Sequence, residues 1–432
     1  MYAKNVLFVI LVVCSIALTG CVWVNSPIPA GAANSFEKIE TPVTLPSLET
    51  GQDFSVLLPD GKPHTTANIR INDLIGDKSL QIFVTEPLAG KVTLLQGLKD
   101  ITEFTEGLTQ PVRVHAADID GDSLRDILVA DIGVLGPTNR KVGKVVLLHN
   151  RGDFKFEPIT LLENVGRVAC AEAGDFDSDG DLDIAVCVFG HLDGKLIWLE
   201  QIDDLKFKEH ILDKRPGAIH AYPFDVDSDG DLDLAVALSQ ESEEVLLFRN
   251  DGNGVFSKEI LFDAKVNYFG LSGIELADLD QDGDIDILYT NGDTLDFSER
   301  EIFPNNFYGV AWLENDGKGS FSNHELTRYW GAFAVKATDL DRDSDIDLVL
   351  SGIQLTNLYP DAEKQSVIWL ENDGEQNFER RTLEIELPPF MITLEAADID
   401  NDGVAEFFGG SHNYTGGDEG HRLVIFKIPT DG

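Results

Sequence analysis

The stretch Asp175-Phe176-Asp177-Ser178-Asp179-Gly180-Asp181-Leu182-Asp183 places carboxylates at loop positions 1, 3, 5 and 9, with glycine at position 6. Carboxylates at this spacing converge on one point when the backbone turns sharply at the glycine. Such an oxygen nest suits a hard cation with about six to eight oxygen ligands, calcium before magnesium. The spacing recurs at Asp118, Asp120, Asp122 and Asp126; at Asp225, Asp227, Asp229 and Asp233; and at Asp278, Asp280, Asp282 and Asp286. It recurs again at Asp339, Asp341, Asp343 and Asp347, and at Asp398, Asp400, Asp402 and Glu406. A single copy could be an acidic surface turn; six copies are not an accident of composition.

The loops are not EF-hands. That motif needs a bidentate Glu at position 12 between two helices, and position 12 here holds Val129, Val186, Val236, Tyr289, Leu350 and Gly409. The flanking runs are short and β-like, which makes each loop a strand-loop-strand site. Nothing resembling a Gly-x-Ser-x-Gly elbow, a phosphate loop or His-Glu-x-x-His is present.

Stepping from the loops to their supports exposes a repeat. Successive loop starts are 57, 50, 53, 61 and 59 residues apart. Each unit reads as a strand into the loop, an apolar strand out of it, a third strand such as Val367-Ile368-Trp369-Leu370, a tight turn and a Phe-led fourth strand. The turn is Asn-Asp-Gly at 250 to 252, 315 to 317 and 372 to 374, a strong hairpin signal. Four antiparallel strands per unit predict a propeller blade. A degenerate unit, Asp73 to Val84, precedes the six; with Ile75 and Gln81 at positions 3 and 9, it is expected to lack a metal. The last unit ends after its third strand, His421 to Ile428. Phe54 to Leu58 is therefore expected to supply its outer strand and close a seven-bladed ring, removing an open edge.

These residues resemble the FG-GAP and VCBS repeat family, whose loops read Asp-x-Asp/Asn-x-Asp-Gly-x-x-Asp. The family forms all-β, seven-bladed propellers like the head of integrin α subunits. The resemblance spans residues 51–432 and implies calcium as cofactor in the loops. Those starting at Asp175, Asp225 and Asp278 match fully; Ser123 and Ser344 replace the position-6 glycine, and Glu406 lengthens position 9. In this reading the ions are structural staples between strands whose carboxylates otherwise repel.

Three residues before the loop starts come Arg70, His115, Glu172, Tyr222, Glu275, Lys336 and Glu395; one residue earlier are Ile69, Val114, Ala171, Ala221, Ile274, Val335 and Leu394. Alternation along a strand puts the apolar set between blades and the polar set around the central channel, where a solvated channel with internal ion pairs is expected. The loops opposite the acidic ones are long at 291–309, 351–366 and 410–421, and offer Phe303, Phe307, Tyr308, Tyr329, Trp330, Tyr359, His412 and Tyr414. Exposed aromatics there would suit a protein or glycan ligand; the alternative is that they pack on one another.

The chain has 432 residues and a formal net charge of -43, which argues against nucleic acid and anionic membrane surfaces as partners. Six loops of four carboxylates supply 24 of the 76 acidic residues. Residues 1–20 read as a secretory signal, with Lys4 and an apolar run from Val6 to Leu18. Leu18-Thr19-Gly20-Cys21 resembles the bacterial lipobox, in which Cys21 becomes the lipidated first residue; ordinary cleavage beside an incidental Cys is the alternative. Residues 21–50, rich in Pro, Ser, Thr and Gly, read as a tether. Val22 resembles the pattern sorted to an outer membrane, where the cell has one. Cys170 and Cys187 flank the Asp175 loop and are expected to be a buried reduced pair, with no disulfide framework.

The leading expectation is a lipid-anchored, calcium-stabilised extracytoplasmic binding or scaffold module. The runner-up is a sugar-active enzyme such as a polysaccharide lyase, for which His115, His220, Tyr222 and Arg113 are the candidates.

Overall fold

The computed structural model describes residues 54–56, 64–74, 80–96, 100–293, 308–353, 365–381, 383, 387–388, 390–399, 403–413 and 423–428. The signal, Cys21, the tether, Phe303, Phe307, Tyr359, Asp400, Asp402 and Tyr414 lie outside them. Every regular element among the described residues is a β-strand. The strands form seven antiparallel sheets, so the chain is an all-β, seven-bladed propeller.

Blades one to six are each a four-stranded meander, and the seventh sheet has a fifth short strand, His64–Thr65, paired with Glu406–Asn413. Blade one is Asn68–Asn72, Gln81–Glu86, Lys91–Gln96 and Asp100–Phe104; blade two is Pro111–Ala117, Asp126–Asp131, Gly143–Asn150 and Phe156–Val165. Blades three to six begin with Val168–Gly174, Ala218–Phe224, Gly273–Ala277 and Ala332–Thr338. The first strands neighbour one another around the axis, and Met391–Ala397 of blade seven meets Asn68–Asn72 of blade one. The ring closes as the repeat count predicts. Its seam is the N-terminal strand Phe54–Val56, which pairs with Leu423–Phe426 as the outer strand of blade seven.

The core lies between blades. Ile69, Val114, Ala171, Ala221, Ile274, Val335 and Leu394 are all buried in apolar clusters shared by adjoining sheets. Blades two and three, for example, meet through Leu128, Ala130, Val145 and Leu147 against Val168, Ala171, Ile184 and Val186. Side-chain alternation thus places one face of the innermost strand in each inter-blade seam.

Cys170 and Cys187 form a disulfide, which corrects the expectation of a reduced pair. The register was readable: the acidic loop makes Gly174 face Asp183, and counting outward puts Cys170 opposite Cys187. Their Cα atoms are 4.9 Å apart, well within bonding range for a cross-strand pair.

Candidate functional site

The acidic loops join first and second strands on one face of the ring. In blades two to six the turn is made by residues with positive φ at positions 4 and 6. Gly180, Gly230 and Gly283 have φ of 97°, 96° and 100°, and Ser123 and Ser344 adopt 74° and 82° in the same place. The first aspartate fixes this turn: Asp118, Asp175, Asp225, Asp278 and Asp398 each accept a hydrogen bond from the position-6 amide, at 2.9 to 3.1 Å. Position 5 does the same for position 7 in blades two to six. One oxygen of each carboxylate is therefore spent on the backbone.

The remaining oxygens point inward. Asp118 Oδ1, Asp175 Oδ1, Asp177 Oδ1, Asp278 Oδ1 and Asp398 Oδ1 are buried with no hydrogen-bond partner. A buried carboxylate oxygen with no donor is costly unless a cation faces it. In four loops one oxygen from each of three carboxylates lies within 4.8 Å of the others, in the sets Asp118–Asp120–Asp122, Asp175–Asp177–Asp183, Asp225–Asp227–Asp229 and Asp278–Asp280–Asp282. The donor set fits a hard divalent ion. It fits less well in blade four, where both Asp225 oxygens take backbone amides and Arg249 lies 3.7 Å from Asp227. Blade six also differs, with Asp339 accepting from Arg342 rather than from Ser344.

Position 9 has a second task that the spacing did not reveal. Asp126, Asp183, Asp233, Asp286 and Asp347 each accept from the position-2 amide, at 3.0 to 3.2 Å. Their other oxygens accept from the backbone amides of Asn150, Gln201, Asn250, Asn315 and Asn372 in the hairpin before the fourth strand, at 2.7 to 2.8 Å. The residue is a bracket between loop and hairpin. Glu406 keeps the first of these bonds to Ile399, and Gln81 keeps it to Leu74 in the degenerate blade. An amide oxygen suffices for the bracket, which explains why blade one retains its shape with a poorer ligand. Burial pushes the pKa of Asp126 and Asp233 up to about 6, and of Asp183, Asp286 and Asp347 up to about 7.

The seven polar residues before the loops do ring the axis, but packed rather than solvated: none is more than 7% exposed. Glu172 contacts His115 at 2.7 Å, Arg70 at 3.3 Å and Arg113 at 3.8 Å. Across the ring Lys336 lies 3.1 Å from both Glu275 and Glu395. Arg113 also donates to the Tyr222 hydroxyl at 2.7 Å and lies 2.6 Å from His220 Nε2. Burial, then Arg113 and Arg70, hold His220 well below the usual imidazole pKa, so it is neutral.

The aromatic face expected on the opposite loops is not exposed where it is described. Tyr329 and Trp330 are buried, Tyr308 packs edge-on to Trp330 with ring centres 4.8 Å apart, and the Tyr329 hydroxyl donates to the Gln365 carbonyl. His412 is buried against Thr65 at 2.6 Å, and burial with His64 lowers its pKa to about 4. These rings seal their loops, because large apolar side chains at strand ends gain more by packing together than by standing in water.

Residues 118–186 and 193–289, which contain four of the acidic loops, match the family model for FG-GAP-like repeats. Those stretches carry FG-GAP-like repeats, and the described strands of the chain form a seven-bladed propeller. The chain is similar to the solved structures of BBS1N in complex with ARL6DN. In the mercury-soaked form the two are 12% identical, with 88% of this chain and 98% of that one covered and a TM-score of 0.54. The lead-soaked form gives the same identity and coverage with a TM-score of 0.51. The Dos1 propeller is 8% identical, over 84% of this chain and 78% of that one, with a TM-score of 0.48. At these identities the likeness is one of fold. No curated protein matches the chain in sequence.

His149 was missed in the sequence. It directly precedes the hairpin residue Asn150 and reaches Asp120 in the FG-GAP loop of blade two, with Nε2 2.7 Å from Oδ2. The signal was its place: blades three to six carry Glu200, Arg249, Glu314 and Glu371 there.

Proposed function

We propose that this FG-GAP propeller is a calcium-stabilised, lipid-anchored extracytoplasmic module that binds or scaffolds a protein or glycan. The observation that carries the reading is the set of buried, partnerless carboxylate oxygens turned into the acidic loops. Asp118, Asp120, Asp122, Asp126 and their counterparts in blades three to seven would hold the ions, which supply charge neutralisation and tie first and second strands together. The Cys170–Cys187 disulfide supports an oxidising compartment, and the lipobox-like run ending at Cys21 supports the anchor. A related propeller is seen in complex with a protein partner, BBS1N with ARL6DN, which favours a protein ligand.

The lyase alternative is weaker. Arg113, His115, His220 and Tyr222 do converge, but they are buried and engaged with one another and with Glu172 rather than open to a polymer.

The test is metal content of the signal-free protein by mass spectrometry, with thermal melting in calcium and in chelator. Calcium in the loops and a large fall in melting temperature on chelation are expected; no calcium and no shift would overturn the staple reading. Cys21→Ser should move the protein from the membrane to the soluble fraction. Conjugated product absorbance from any uronate polymer would revive the enzyme.

A further inference from the structure

We propose that the blade-two loop is a mixed nitrogen and oxygen site that takes a borderline divalent ion such as zinc. Its ligands are drawn from Asp118, Asp120, Asp122, Asp126 and His149. The inference rests on the cation-binding reading of the loops and departs from it in the identity of one ion.

His149 sits on the third strand of blade two, with its side chain 5% exposed and turned into the acidic cluster. One ligand atom each from Asp120, Asp126 and His149 lie within 4.8 Å of one another, and the same holds for Asp118, Asp120 and Asp122. The two groups share Asp120, so an ion there meets an imidazole as well as carboxylates. His149 Nε2 also has Arg151 Nη1 3.5 Å away, though Arg151 is drawn off by Glu157, to which it donates at 2.7 Å. His149 Nε2 and Asp120 Oδ2 lie 2.7 Å apart, a pair that an ion entering the cluster would divide. Asp118 Oδ1 is buried with no hydrogen-bond partner, as befits a site built around something further.

Donor chemistry selects the ion. Calcium prefers an all-oxygen shell, whereas imidazole suits zinc and its neighbours. The loop also carries fewer carboxylates than those of blades three to six: Leu124 occupies position 7, where they have Asp181, Asp231, Asp284 and Asp345. Fewer carboxylates and one nitrogen favour a smaller ion with about four ligands.

The experiment equilibrates the mature full chain with zinc in excess calcium, dialyses it and counts both metals by mass spectrometry. About one zinc per chain is expected in the wild type and none in His149→Gln, with calcium equal in the two. A wild type without zinc, or a His149→Gln protein that keeps it, overturns the proposal. Zinc X-ray absorption on the wild type gives a readout independent of the variant's folding. It should show an imidazole nitrogen at ~2.0 Å, and an all-oxygen shell would count against the assignment. Zinc retained through His149 with no calcium elsewhere would sink the calcium reading alone, so the two failures are distinguishable.

Discussion

The side-chain amide of Asn315 in blade five donates to the backbone carbonyl of Val226 in blade four, 2.9 Å away, and to Ile285 of its own loop at 3.1 Å. Asn250 reaches back likewise to Phe176 in blade three at 2.7 Å, and Gln201 to Ile119 in blade two at 3.0 Å. The hairpin that begins the fourth strand thus latches each of these blades to the one before it. Asn315→Ala would strand two buried carbonyls and should destabilise the protein by about 1–3 kcal/mol. Asn253→Ala, which loses only the bond from its side-chain amide to the Asp251 carbonyl in an exposed turn, should change stability far less. Denaturant unfolding of the two variants checks the contrast.

Glu172 sits against Arg70, Arg113 and His115, and Lys336 faces Glu275 and Glu395. Burial alone would raise the pKa of Glu172, but His115, Arg70 and Arg113 hold it below the usual carboxylate range. Glu172→Gln removes the buried carboxylate that these groups share and should cost about 3–5 kcal/mol. The exposed Arg151–Glu157 pair is the control: Glu157→Gln should cost less than ~1 kcal/mol. Equilibrium unfolding in urea distinguishes them.

Ser123 and Ser344 hold φ of 74° and 82°, a region that favours glycine. Ser123→Gly and Ser344→Gly should each stabilise by about 0.5–1 kcal/mol, because relief of the strain exceeds the extra chain entropy glycine must lose. A rise in melting temperature, in calcium and in chelator alike, is the expected result. A fall would mean that the serine hydroxyls matter to the loops.

The position-9 carboxylates have folded pKa values of about 6 to 7, raised by burial above an unfolded value of 3.8. The folded state therefore binds more protons between about pH 4 and 7, and metal-free stability falls as pH rises through that window. His220 and His412 oppose this, since both are neutral when folded and lose stability on acidification below their unfolded value of 6.5. Five carboxylates outweigh two imidazoles. In chelator the melting temperature should be higher at pH 5 than at pH 7.5, and calcium should reverse that order by taking the place of the protons.

The sequence by itself determined the blade count, the acidic loops and the N-terminal seam. Each is written in local spacing: one loop every 50 to 61 residues, Asn six residues before Phe, and Phe54 standing where the last blade lacks a strand. It also placed the seven polar residues on the inner strand, because alternation along a strand is a local rule. Tertiary structure alone decided what those positions do. Whether Arg113 meets Tyr222 or solvent depends on strands more than 100 residues apart that only ring closure brings together. Tyr329 and Trp330 are sealed by neighbouring loops rather than offered to a ligand, which burial settles and composition does not. The position-9 carboxylates serve the hairpins as well as the loops, and His149 enters the blade-two cluster from a different strand, because side chains distant in sequence share one end of a folded sheet.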